Sequence, residues 1–331
     1  MRTLLILAFV AAVPASARLQ LAWPTPNTAY IEGRPIEDYV QPTVSGETES
    51  GLFGSVRSNG TKFHEGLDLF PLKRDATGEA ADPVFAVMDG VVRHVNLRPG
   101  DSSYGRYIVI EHTGATPAFC SLYAHLRSID VRVGDSVSRG QTLGVMGRSA
   151  GGYAIPKDRA HVHLEMALLM TADFQRWYER KKFGSPNHHG NYNGMNLMGV
   201  DPKDFFDEFR AKRINDFGEY LARQRVAVRV RVGSRKIPDF ATRYPSLVTA
   251  PVPVGELTGW EIDMLWTGLP VSMRPLGTEE AGNLRPGVVE VSKIDVDLVE
   301  KQRAIRLVRL RGKNWVPSRD LDDVLSKLFG P

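Results

Sequence analysis

Pro83-Val84-Phe85-Ala86-Val87, Gly90-Val91-Val92, Tyr107-Ile108-Val109-Ile110, Ser121-Leu122-Tyr123-Ala124 and Val131-Arg132-Val133 are short β-rich runs in the stretch from Phe63 to Leu169. Turns at Gly134-Asp135, Arg139-Gly140 and Gly144 to Gly147 punctuate them. β-Branched and aromatic side chains suit a pleated backbone, whereas glycine and aspartate interrupt it. Many short strands at this spacing predict a mostly β fold, an antiparallel β-sheet or sandwich.

Outward from this core the texture changes. Residues 18–60 are rich in Pro, Gly, Ser and Thr, as in Trp23-Pro24-Thr25-Pro26, and read as an extended arm leading into a domain at 61–200. Within that domain, Lys181 to Gly194 is polar and turn-rich, so an inserted loop is expected over 171–196. Asp201-Pro202 then opens a helix, with an N-cap residue, proline at the first helical position and Asp204 in the first turn. Phe206, Phe209, Phe217 and Leu221 recur at helical spacing to about Gln224. Val226-Ala227-Val228-Arg229-Val230-Arg231-Val232 alternates strictly, and β-like runs continue to Trp315. Residues 201–331 therefore read as a C-terminal α+β extension, a helix plus a small β-rich region. No ligand cluster lies in it, so its expected role is targeting or substrate access rather than chemistry.

The chain has 331 residues, a formal net charge of +4 and one cysteine. That length supports one large or two ordinary domains with real cores. Arg2, the apolar run Leu4 to Val13, and Ala15-Ser16-Ala17 have the layout of a signal peptide over residues 1–17, with cleavage expected after Ala17. The apolar run is well short of the ~20 residues of a spanning helix. The mature chain is expected to be exported, periplasmic or extracellular, without a membrane anchor. Cys120 lies in an apolar run and reads as core. The mild positive charge comes without a stacked-aromatic or basic-helix motif, which excludes a nucleic-acid partner.

Three segments carry the candidate chemistry. His64-Glu65-Gly66-Leu67-Asp68 holds two possible metal ligands that a fully extended chain would separate by roughly 13 Å, but a bend at Gly66 could bring both to one centre. On a strand, His161, His163 and Glu165 point to one face, opposite Val162, Leu164 and Met166. In Tyr123-Ala124-His125-Leu126, alternation puts His125 on the face of Tyr123 and Ser121. Catalytic zinc takes three protein ligands and keeps an open position for water. Each segment alone fits solvated side chains; together they supply one acid and four imidazoles with a division of labour. A closed structural site built on cysteine pairs is excluded.

These motifs, H-x(3)-D, an isolated His in a Y-x-H-L-like strand and H-x-H, resemble in kind and order those of the lysostaphin-like zinc endopeptidases. The resemblance runs from about Gly51 to about Leu168 and includes Tyr104-Gly105-Arg106-Tyr107 and Val133-Gly134-Asp135. It implies that His64, Asp68 and His163 bind zinc and that His125 and His161 are catalytic histidines beside a metal-bound water. It also implies a peptide-bond hydrolase acting on peptidoglycan. His112 is expected to pack or lie in a surface turn, and His94 to be exposed. His188 and His189 belong to the 171–196 insertion, a departure from the family pattern that touches substrate range. The region beyond Asp201 matches no wall-binding module.

Two competing readings remain. One is a catalytically inactive relative of the same fold that activates a wall amidase; all five positions are filled, which weighs against it. The other is a lipoyl- or biotinyl-carrier domain, suggested by Val133-Gly134-Asp135 to Leu143, but no lysine flanked by methionines follows.

Overall fold

The computed structural model describes residues 18–253 and 255–330; the export segment expected at 1–17 lies outside them. The strands of the first part are β1 (Gly54–Arg57), β2 (Lys62–His64), β3 (Leu67–Leu69), β4 (Pro83–Phe85), β5 (Gly90–Asn96) and β6 (Tyr107–His112). They continue with β7 (Phe119–Ala124), β8 (Ser128–Ile129), β9 (Ser136–Val137), β10 (Thr142–Val145), β11 (Val162–Leu169) and β12 (Leu197–Val200). A seven-stranded sheet runs in the order β12-β11-β7-β6-β5-β9, with β3 pairing beside the start of β11. Its pairings are antiparallel. A three-stranded sheet β4-β10-β8 and the hairpin β1–β2 complete this part. The mostly β, antiparallel architecture is the expected one.

Alternation along β11 explains how the sheet has two working faces. Val162, Leu164, Met166 and Leu168 join Leu67, Leu69, Ile108, Ile110, Phe119 and Tyr123 in the main core. On the other face Ala167 and Leu169 meet Tyr107, Val109, Cys120 and Leu122 in a second apolar cluster. Full burial of a Leu or Ile side chain is worth about 1.5–3 kcal/mol, and a one-residue slip of β11 would force His163 and Glu165 into the main core in place of apolar side chains. Register is therefore firmly set, and with it the position of His163.

Local structure adds detail to three of these readings. The arm at 18–60 packs onto the domain: Leu19, Trp23, Tyr30 and Tyr39 are buried in the main core, and Trp23 stacks on Tyr30 at 4.0 Å. Its backbone is pinned by Ala22 N–H to the Val87 carbonyl. Prolines hid this, since burial here follows no local period. The 171–196 insertion contains a helix, Phe174–Lys181, that buries Phe174, Trp177 and Tyr178. The helix read from Asp201 to about Gln224 is two, Pro202–Arg210 and Phe217–Arg223. Lys212 takes a left-handed φ of 58° between them, and Asp216 starts the second by accepting from the Glu219 N–H at 2.7 Å.

In the extension, β13 (Val228–Gly233), β14 (Gly259–Met264), β15 (Pro270–Leu276) and β16 (Val289–Ile294) form a sheet in the order β15-β14-β13-β16. Val228, Val230 and Val232 are buried. Arg229 and Arg231 face outward but pair across strands with Asp263 and Glu290. The extension also grips the β1–β2 hairpin. The rings of Phe53, Phe63 and Trp266 lie 5.3–5.5 Å apart, and the Ser55 N–H donates to Gln302 at 3.2 Å. Among the described residues no helix is long and apolar enough to cross a membrane.

Candidate metal centre

His64 closes β2 and Asp68 is the middle residue of β3, directly opposite His163 of β11 in the antiparallel register. The connection Glu65-Gly66 turns sharply against β11. A Cβ on Gly66 would sit 2.3 Å from the Leu164 carbonyl oxygen and 2.9 Å from the His163 ring. Glycine is required there by close approach, and that approach delivers both ends of the H-x(3)-D segment to one point.

Three atoms converge: His64 Nε2 lies 3.1 Å from Asp68 Oδ1 and 3.0 Å from His163 Nδ1, and the last two are 2.9 Å apart. All three side chains are buried. The opposite ring nitrogens fix the tautomers. His64 Nδ1 is 2.7 Å from the Leu52 carbonyl oxygen, and His163 Nε2 is 2.9 Å from Glu165 Oε1. Each outer nitrogen donates to its acceptor, so the inner one presents a lone pair. Lone pairs this close repel one another unless a cation sits among them. Ligands on zinc at 2.0–2.1 Å in a tetrahedron are about 3.3 Å apart, so the donor set fits zinc in number, type and span. No other group of three potential ligands converges among the described residues.

Electrostatics follow the same demand. Without a cation a proton takes its place: burial alone would depress the His163 imidazole, but its hydrogen bonds to Asp68 and Glu165 and their charges push it up to about 10, and a bound metal would displace the Nδ1 proton. Burial would raise the Asp68 carboxyl, yet the imidazoles of His64, His161 and His163 around it hold it well below the usual carboxylate range. Arg57 anchors its other oxygen, Nη2 to Oδ2 at 2.6 Å.

His125 and His161 flank the triad, their rings 4.8 Å apart. His161 Nδ1 donates to the Arg159 carbonyl at 2.7 Å and His125 Nδ1 to the Ser149 carbonyl at 2.8 Å. Their Nε2 atoms are thus left without a proton, and burial, foremost among the causes, pulls both imidazoles down. His125 does not share a face with Tyr123 as expected. It follows the end of β7 with a left-handed φ of 62°, which reverses the alternation. Tyr123 stays in the core, while His125 turns to pack beside His163 at 5.9 Å.

The remaining histidines separate cleanly. His112 is buried between the Asp89 carbonyl and the Ser121 hydroxyl. His94 is half-buried rather than exposed, packed against Tyr107 and His189. Cys120 is core, and burial pushes its thiol up to about 12. Arg57, Tyr104 and Glu165 were not assigned roles from sequence. Only Glu165 left a signal, its place two residues beyond His163 on the same strand face. The five histidine and aspartate side chains open on a cavity of about 260 Å³.

Comparison with known proteins adds the following. The model of Peptidase family M23 matches residues 62–172. The lipoprotein NlpD/LppB homolog of Pseudomonas aeruginosa is 30% identical over 115 residues, which are 35% of this chain and 32% of that protein. The match thus spans about a third of the curated relative's length. The catalytic domain of the antimicrobial peptidase lysostaphin from Staphylococcus simulans is 19% identical over 52% of this chain and 95% of its own, with a TM-score of 0.30. A zinc-containing peptidase from Vibrio cholerae is 20% identical over 56% of this chain and 36% of its own, with a TM-score of 0.26. Residues 62–172, which carry all five of these side chains, form a domain of Peptidase family M23.

Proposed function

We propose that this chain is a zinc-dependent endopeptidase, exported from the cytoplasm, that hydrolyses peptide bonds in the stem peptides or cross-bridges of peptidoglycan. The carrying observation is the convergence of three lone pairs, from His64, Asp68 and His163, within 3.1 Å of one another. These residues would hold the metal. Zinc, when bound, supplies Lewis acidity towards a scissile carbonyl and lowers the pKa of water.

The chain's own groups do the rest. Arg57 and Glu165 keep Asp68 and His163 oriented from outside. Burial favours neutral His125 and His161, so one can take the proton of the attacking water. The proton it gains then passes to the leaving amine, and the other histidine, when protonated at Nε2, can donate a hydrogen bond to the developing oxyanion. Digestion of purified muropeptides of known cross-link type, with mass analysis of the products, tests this. Cleavage that requires zinc is the expected result. Intact muropeptides after treatment with folded, zinc-loaded protein would overturn it and favour the non-hydrolytic regulator of a wall amidase.

A further inference from the structure

Loop 147–160 forms one wall of the cavity over the metal centre, contributing Tyr153, Ile155, Pro156 and Arg159. Most cations of this region are already engaged. Arg148 forks onto Glu79 through two bonds of 2.8 Å, and Lys157 donates to the Thr77 carbonyl at 2.7 Å. Arg74 bonds the Lys157 carbonyl at 2.5 Å, and Arg57, on the opposite wall, is held by Asp68. The guanidinium of Arg159 has no hydrogen-bond or ion-pair partner among the described residues, although it is half-buried and lines the cavity. Glu65, another charged lining residue, makes no ion pair with it either.

We infer that Arg159 is a specificity residue that binds a free carboxylate of the substrate beside the scissile bond. Taking the peptidase reading as its basis, this names the substrate class: cross-links through a diamino acid that keeps its carboxylate, in preference to uncharged glycine bridges. A guanidinium matches a carboxylate with two parallel donors, and such charge-assisted pairs are the strong ones. The anchor is preorganised. The loop that carries it is tied down by Arg74, Arg148 and Lys157, so little ordering is left for the moment of binding. The Arg159 backbone carbonyl also fixes His161, which places the carboxylate site next to the reacting groups. Tyr153, 66% exposed at the same wall, offers an aromatic surface to the peptide.

The test uses two synthetic cross-linked peptides, identical except that the diamino-acid carboxylate is free in one and amidated in the other. Turnover by the zinc-loaded protein is compared with calorimetric binding of uncleavable versions of the same pair. Hydrogen bonds to charged groups are worth roughly 10- to 100-fold, the expected preference of the wild type for the free carboxylate in kcat/KM and in affinity. Arg159→Gln, which keeps the backbone carbonyl, should bring both ratios towards one, and Arg159→Lys should restore part of them. Ratios that are the same in wild type and in Arg159→Gln overturn the inference. A wild type that cleaves neither peptide but binds with an Arg159-dependent preference supports the carboxylate site and sinks the peptidase reading instead.

Discussion

The imidazole of His163 is addressed at both nitrogens, by Asp68 and His64 on one side and Glu165 on the other. That double hold makes it the most informative residue to change. His163→Ala removes one of the three proposed ligands, and metal analysis should show strongly reduced zinc; full occupancy would refute the ligand set. Glu165→Gln keeps the shape but weakens the acceptor, and zinc affinity should fall about 10–100-fold, as for other outer-sphere partners. His125→Ala and His161→Ala should keep their zinc and lose about 10²–10⁴-fold in peptide hydrolysis. A wild-type rate in either variant removes that histidine from the mechanism. At this scale the ligand types and the shared face of His161 and His163 were legible in the sequence. The turned backbone at His125 was not, because no neighbouring residue in the sequence demands a positive φ there.

Among the elements, the helix Arg319–Phe329 makes a contact whose energy depends on pH. Lys327 is buried, donates to the Met195 carbonyl at 2.6 Å and lies 4.6 Å from the centre of the Trp177 ring. Burial pulls its ammonium down to about 8 from 10.5. The unfolded chain therefore binds more protons between those values, and stability gains with rising pH. The cost of holding the charge, up to about 3 kcal/mol, is fully present below pH 8 and gone above pH 10.5. Denaturation of wild type and Lys327→Met across this window should show their difference drift by that amount in favour of the wild type. A difference that stays constant with pH would contradict the buried-charge account. Trp177 belongs to the helix at 174–181, within the region read as a loop. Its sequence, Phe174-Gln175-Arg176-Trp177-Tyr178-Glu179-Arg180-Lys181, is short and charge-rich. The partner that buries its aromatic face comes from the far end of the chain.

Taken whole, the molecule ties its extension to the hairpin that carries His64. Trp266 packs on Phe53 and Phe63, next to His64 and to the Leu52 carbonyl that orients it. Gln302 and Ala304 bond the backbone and side chain of Ser55. Cutting the chain after Gln224 removes all three contacts and uncovers two aromatic rings. The expected outcome is lower thermal stability and weaker zinc binding, with hydrolysis of small soluble peptides falling together with that of intact sacculi. Trp266→Ala should repeat the effect in part, at about 1–3 kcal/mol of stability. Soluble-peptide turnover and zinc content that survive the cut, with only sacculus digestion lost, would return the extension to a targeting role.

The β-rich class, the apolar and polar faces of β11 and the five residues of the site are all set by local patterns, alternation and motif spacing, which a linear chain displays. The convergence of His64, Asp68 and His163 depends on strand register and on a close approach at Gly66. The roles of Arg57 and Arg159 depend on which walls meet across the cavity. Burial of the proline-rich arm and the helix in the insertion likewise come from contacts between residues far apart in sequence. Such contacts are decided by how the faces pack, and packing energy belongs to the assembled core, not to any one segment.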